Sequence, residues 1–374
     1  MSWDRVIGQQ RVKQLLRKAL MSGHVAHAYL FEGPEGVGKD ALAIEFARAL
    51  NCREGLPDAC GSCQSCRSMD TLQHPNLRFI VALPAGKGEK IGDDPLKGLV
   101  EDQIETLQSE LAAKARDPYR RINIPKANFI KVNSIREIRR QASLTALNSG
   151  RKIFIIAAAD EMNLEASNSL LKTLEEPPGD TVLILTTARR EQLLPTIVSR
   201  CQIVRCEPLS DEEIAGALVE REGTAAEEAS IIATASNGSY RTARELTSED
   251  MLQVRHDAVQ FVRNALGTSR VALLSQMESA FGGGDRTAAG QRLRALQTWL
   301  HEAILLRSHV SDGGSADGNE ELKRFVERFP DADLIMASEK VERSIALLDR
   351  NVYLPLVLTT LALDLHRCII SPHS

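Results

Sequence analysis

Two short stretches carry residue types and spacings that can do chemistry. The first is Gly33-Pro34-Glu35-Gly36-Val37-Gly38-Lys39-Asp40. It fits G-x-x-x-x-G-K, a loop that wraps phosphates in backbone N–H groups and adds a lysine ammonium. Glycines suit this task because a side chain would hold the backbone away from the phosphates. A helix starting just after the loop adds its positive N-terminal end. One position departs from the pattern. A Ser or Thr normally follows the lysine and holds Mg²⁺, and here the residue is Asp40. A chance glycine turn is the bland alternative. The flanks argue against it, because an apolar run, His27–Phe31, precedes the loop and a helical pattern from Ala41 to Leu50 follows.

The second stretch is Cys52-x₇-Cys60-x₂-Cys63-x₂-Cys66, four of the seven cysteines within fifteen residues. In a reducing compartment such crowding reads as metal ligation and not as disulfides. Four thiolates suit a tetrahedral, closed, structural Zn²⁺ site. A Cys60–Cys63 redox pair and iron–sulfur ligation are the chemical alternatives. A redox pair would not need four cysteines so close together. His74 fits a turn or packing role better than that of a further ligand.

The 374-residue chain is long enough for two or three domains and a sizeable core. Its formal net charge of −4 argues against a free-standing nucleic-acid binder, so DNA contact would be local or shared with partners. No apolar run is long enough to span a membrane, and Met1–Arg5 lacks a signal-peptide core. The expected location is cytoplasmic, with no membrane partner.

Strands are expected at His27–Phe31, Leu77–Val81, Phe129–Val132, Lys152–Ala158 and Val182–Thr187, with a short last one at Ile203–Val204. Helices alternate with them: Gln9–Leu20, Ala41–Leu50, a segment capped by Asn133-Ser134 and running to about Leu147, and Ala166–Glu176, stopped by Pro177-Pro178. This alternation implies an α/β fold with a parallel sheet covered on both faces. Residues 83–126 read as an insertion holding one amphipathic helix, with Val100, Ile104, Leu107 and Leu111 on a face; a surface embellishment is the plain reading. Past Pro208 the chain becomes helical. Ser210–Glu213 is a capping box that opens a three-helix unit. A second helical unit follows, clearest at Val271–Phe281, Ala288–His309 and Tyr353–Ile370. Ser311–Ser315 has a flexible composition. The expected organisation is 1–208, with a metal module at 51–67 and the 83–126 insertion, then 209–248 and 249–374.

Ile7-Gly8-Gln9, the phosphate loop, the four cysteines, Ser169-Leu170-Leu171-Lys172-Thr173-Leu174-Glu175-Glu176-Pro177-Pro178 and Ser199-Arg200-Cys201 occur in that order. In this the chain resembles the bacterial DNA polymerase III clamp-loader subunits of delta-prime and gamma/tau type over most of residues 1–247. The resemblance implies an AAA+ P-loop module, a helical lid and an all-α collar joining five subunits in a ring. It implies gamma/tau and delta subunits as partners, with the sliding clamp and primer-template DNA reached through the complex. It places Ile7, Gly33, Gly36, Gly38, Lys39, Asp40 and Arg241 at a nucleotide site, with ATP weakly bound or not hydrolysed. Arg200 would reach a neighbour's ATP and neutralise charge in phosphoryl transfer. A surface salt bridge is the plain alternative for Arg200, and a solvated helix charge for Arg241.

A hydrolysing site of this family carries Asp-Glu at the end of the central strand, eleven residues before the Asn of the Leu-Leu-Lys-Thr motif. Here that Asn is Asn168, so the pair falls at Ala157-Ala158, and Asp160-Glu161 lies beyond. The sensor threonine would be Thr186 or Thr187. With Asp40 also altered, and with only five residues before Val6, the resemblance points to the delta-prime type, which would not hydrolyse ATP. The alternative is an active ATPase of gamma/tau type that uses Asp160-Glu161. A zinc-dependent nucleic-acid module is a third reading, disfavoured by the net charge and by the lack of basic–aromatic interleaving near the cysteines.

Overall fold

The structure, a computed structural model, describes residues 2–143, 150–247, 250–267, 269–281, 286–311, 320–349 and 352–370. The chain divides into two compact units, Met1–Leu246 and Thr247–Ser374. Among the described residues no helix is long and apolar enough to cross a membrane.

The first unit is built on five parallel strands: β1 (Ala28–Glu32), β2 (Leu77–Ile80), β3 (Lys152–Ile156), β4 (Thr181–Thr187) and β5 (Gln202–Arg205), in the order β2-β3-β4-β1-β5. Alternate residues feed two cores. Tyr29, Phe31, Ile153, Ile155, Val182 and Ile184 face one layer. Ala28, Leu30, Phe154, Ile156, Leu183 and Leu185 face the other. Burial on both faces is why these strands read as unbroken apolar runs rather than as alternating ones.

The first layer is formed by α1 (Gln10–Ser22) and α2 (Lys39–Leu50), together with α8 (Asp211–Glu222), α9 (Ala226–Ala235) and α10 (Tyr240–Thr247). The capping box at the start of α8 is formed: Glu213 N–H donates to Ser210 Oγ at 3.2 Å, and Ser210 N–H to Glu213 Oε2 at 3.0 Å. The opposite layer holds α5 (Val132–Ser143), α6 (Leu164–Glu175) and α7 (Pro195–Val198). Asn163 Oδ1 caps α6 by accepting from Ala166 N–H at 2.8 Å. The short α3 (Gln64–Asp70) follows the cysteines, and α4 (Glu101–Arg116) is the helix of the insertion.

Several expectations need correction. Phe129–Val132 does not form a strand. Ile130 makes one isolated bridge to Met162, and Val132 already begins α5, so the β-branched residues there serve a helix start. The far end of that helix, as expected to Leu147, lies outside the described residues. In α4, Val100 is the exposed residue before the first turn and does not join the apolar face, whereas Leu107 is buried with Val81, Leu83 and Ile124.

The second unit is wholly helical among its described residues: α11 (Asp250–Leu266), α12 (Arg270–Ser279), α13 (Arg286–Ser311), α14 (Glu320–Arg328), α15 (Leu334–Asp349) and α16 (Leu354–Ile370). Its core gathers Phe261, Leu293, Leu296, Trp299, Val341 and Leu365. Trp299 packs on Phe325 with ring centroids 4.6 Å apart. Residues 312–315 of the flexible-composition loop lie outside the described residues.

Candidate functional site

The glycine loop joins β1 to α2, as a phosphate loop requires. Its polar groups, however, are turned to the rest of the protein. Lys39 is buried, and its ammonium donates to the carbonyls of Gly33 at 2.7 Å and Pro34 at 2.5 Å. Burial lowers its pKa, while the Asp40 charge opposes that shift. Gly36 and Gly38 have φ of 77° and 99°, a backbone region in which glycine is favoured. A Cβ on Gly36 would sit 2.0 Å from Ser239 Oγ, and one on Gly38 would sit 2.9 Å from the Tyr119 hydroxyl. Intramolecular packing therefore already requires both glycines.

Asp40 lies in the first turn of α2 and accepts two hydrogen bonds. Lys114 Nζ donates to Oδ2 at 2.6 Å, and the Thr186 hydroxyl donates to Oδ1 at 2.8 Å. Burial alone would raise the Asp40 pKa; the Lys114 charge and bond, the Thr186 bond and the Lys39 charge outweigh it and hold the carboxyl below its usual range. Thr186 also accepts from Ala158 N–H at 3.2 Å, so of the two candidate threonines it is the one facing the loop. Ala157 and Ala158, just past the end of β3, offer no carboxylate there. Asp160 turns elsewhere: Thr187 Oγ1 donates to it at 2.7 Å and Arg189 Nε at 2.9 Å. Glu161 lies 3.3 Å from Arg121, and burial raises its pKa.

Ile7 N–H donates to the Tyr119 hydroxyl at 2.7 Å. Arg241, from α10, pairs with Glu35 in the loop. Burial raises the Glu35 pKa, but the charges of Arg241 and Arg121 dominate and lower it. Ile7, Gly33, Gly36, Gly38, Lys39, Asp40 and Arg241 thus form one constellation. As they stand they do not fit a bound nucleotide, because the Ile7 amide, the Lys39 ammonium and the Asp40 carboxylate all have intramolecular partners. The loop pattern alone does not single out Lys114 or Tyr119. The available signal was an ammonium set at helical spacing on an apolar face, Leu107, Leu111, Lys114.

Arg200 stands apart from this constellation. It follows α7, donates to Thr196 O at 3.0 Å and pairs with Glu175 at 2.8 Å, with about a third of its side chain exposed.

The four cysteine sulfurs lie within 4.8 Å of one another, and Cys60 and Cys66 are 3.9 Å apart. A tetrahedral ion with Zn–S of about 2.3 Å needs sulfurs about 3.8 Å apart, so the cluster fits zinc. Backbone N–H groups point at the sulfurs: Cys60 N–H to Cys52 at 3.2 Å and Cys63 N–H to Cys60 at 3.3 Å. Such bonds favour the thiolate, and those from Cys63 and Ser62 bring Cys60 down to about 6. Burial pushes Cys66 up, so without an ion the four would not all be ionised. His74 is not a ligand. Its Nδ1 accepts from Asn76 N–H at 3.1 Å, and its Nε2 lies 3.1 Å from Ser65 Oγ. The module is fastened to the start of the chain by Arg5–Asp70 at 2.5 Å and Arg17–Asp58 at 2.8 Å.

A glycine loop after β1, at the heart of a β2-β3-β4-β1-β5 parallel sheet, with a three-helix segment returning onto the loop, defines an AAA+ P-loop module. The family model described as DNA polymerase III, delta subunit, matches residues 8–210, more than half of the chain. The chain belongs to that family. It is 34% identical over 214 residues to DNA polymerase III subunit delta' of Bacillus subtilis, covering 57% of this chain and 52% of that protein. It is 34% identical over 247 residues to subunit delta' of Pseudomonas aeruginosa, covering 64% and 62%. Subunit tau of Bacillus subtilis is 29% identical over 253 residues, covering 66% and 37%. The matches thus span about half to three-fifths of the delta' relatives.

Proposed function

We propose that this chain is a delta-prime-type subunit of the DNA polymerase III clamp loader, acting in cytoplasmic DNA replication to help load the sliding clamp. Residues 1–208 serve as the AAA+ module, 209–248 as its lid and 249–374 as the collar that joins gamma/tau and delta neighbours in a hetero-pentamer. Clamp and primer-template DNA are reached through that complex. The subunit carries a structural zinc on Cys52, Cys60, Cys63 and Cys66. It does not turn over ATP, and Arg200 acts in trans on a neighbour's nucleotide.

The observation that carries this reading is the paired change at the metal positions. Asp40 stands where a hydroxyl is needed and is tied to Lys114 and Thr186. Ala157-Ala158 stand where the acidic pair is needed. The rival reading, an ATPase using Asp160-Glu161, is disfavoured by the bonds that tie Asp160 to Thr187 and Arg189. Arg200, partly exposed and held by a surface carboxylate, is free to exchange that partner for a phosphate. ATP turnover tests the reading. The purified chain should show none, and a loader reconstituted with Arg200→Ala should assemble but hydrolyse ATP more slowly. Turnover by the chain alone, abolished by Glu161→Gln, would establish the rival.

A further inference from the structure

The insertion supplies partners to several parts of the loop constellation. Three of its residues leave the end of α4 and the turn after it and each takes a separate part of the site. Lys114, 2% exposed, places its ammonium between Asp40 Oδ2 at 2.6 Å and Arg120 O at 2.7 Å. Tyr119, 5% exposed, lies against Gly38 and accepts from the Ile7 amide. Its ring meets Tyr240 of α10 edge-on, with centroids 5.0 Å apart. Asp117 pairs with Arg244 of the same helix. The base of the insertion is also fixed: half-buried Glu89 binds buried Lys131 at 2.8 Å and Asn133 at 2.7 Å.

We propose that Lys114–Tyr119 is the chain's own occupant of the nucleotide site, and that it keeps ATP out. The chemistry matches part for part. An ammonium takes the place of a cation beside the residue that follows the loop lysine, an aromatic ring covers the loop glycine, and a phenol oxygen takes a backbone N–H. A ligand entering the site must displace groups that are already desolvated and bonded, and each bond lost without replacement costs affinity. The insertion is then an internal clamp that ties loop, N-terminal segment and α10 into one arrangement. This rests on reading Gly33–Asp40 as a nucleotide loop.

The test uses the full zinc-loaded chain. It is titrated with ATP, with and without Mg²⁺, by calorimetry, and followed by hydrogen exchange at peptides covering 5–9, 33–40 and 112–121. The wild type should show no saturable binding. Lys114→Ala/Tyr119→Ala, with wild-type zinc content and circular dichroism, should lose protection at 5–9 and bind ATP at least about tenfold better. Should that variant not fold, Tyr119→Phe keeps the ring and should still speed exchange at 5–9. ATP binding to the wild type with 112–121 still protected overturns the proposal, as does unchanged protection of 5–9 in folded variants. A folded, deprotected variant that binds no ATP instead rejects the nucleotide-loop reading, and the proposal with it.

Discussion

Glu175 and Arg200 face each other across the α6–α7 connection, with Arg200 Nη2 2.8 Å from Glu175 Oε1. Both belong to motifs of the family resemblance, and Arg200 also donates to Thr196 O at 3.0 Å. An exposed pair of this kind contributes about 0–1 kcal/mol, so it is a weak tether. Arg200→Ala should therefore leave the denaturation midpoint almost unchanged. In a reconstituted loader it should slow hydrolysis at the site it serves by about 10³-fold or more. Glu175→Gln should leave that hydrolysis near wild type. Loss of activity in both variants alike would assign the motif a structural role.

The Asp40–Lys114 pair predicts a cycle of stabilities. Lys114→Ala leaves a largely buried carboxylate with Thr186 and the Lys39 charge alone, and should destabilise the first unit by about 3 kcal/mol. Asp40→Thr combined with Lys114→Met should recover most of that loss, since apolar replacement of a buried pair is often near neutral. Denaturant midpoints of the wild type, Asp40→Thr, Lys114→Met and the double variant give the coupling directly.

Metal removal should act through the 52–66 module. Chelation under reducing conditions should release one zinc per chain, expose four further reactive thiols and open the segment to protease, because metal binding energy is also folding energy. Cys63→Ser should reproduce these effects. A chain that purifies metal-free, with its melting temperature insensitive to chelator, would remove zinc from the account.

His74 predicts a pH effect. Burial first, and then the Arg53 charge, depress its pKa below 6.5 in the folded protein. The unfolded chain therefore binds the extra proton first as pH falls. Stability from this residue is complete above about pH 6.5 and declines as pH drops through the folded value. Comparing wild type with His74→Gln across pH 7.5 to 5 should isolate that slope, with the thiol contributions common to both.

Much of this architecture is legible in the sequence because the sheet is buried on both faces. Lys152–Ile156 and Thr181–Thr187 stand out as apolar runs, and the loop after β1 is plain from its glycines and lysine. Phe129–Val132 misleads for a physical reason: β-branched residues also suit a buried helix start, and only the tertiary bridge from Ile130 to Met162 decides the matter. The occupants of the loop site are the hardest to see. Lys114 and Tyr119 lie more than seventy residues from the loop, and spacing within the motif cannot register a partner that arrives from a separate segment. Thr186 is separated from Thr187 only by which face of β4 each one occupies, a distinction that one residue of register would reverse.

The sheet order has a consequence for how the protein is made. The earliest strand, β1, pairs with β4 and β5. While the chain emerges from the ribosome, Ala28–Glu32 must wait with both edges unpaired until residues 181–205 appear. All four cysteines have emerged by residue 66, well before that, and their module could take up a metal ion while β1 still lacks its neighbours. Such long-range closure slows folding and leaves apolar edges open to mispairing. Nascent chains truncated before β5 should therefore depend on holdase chaperones, while those that extend past the sheet should release them.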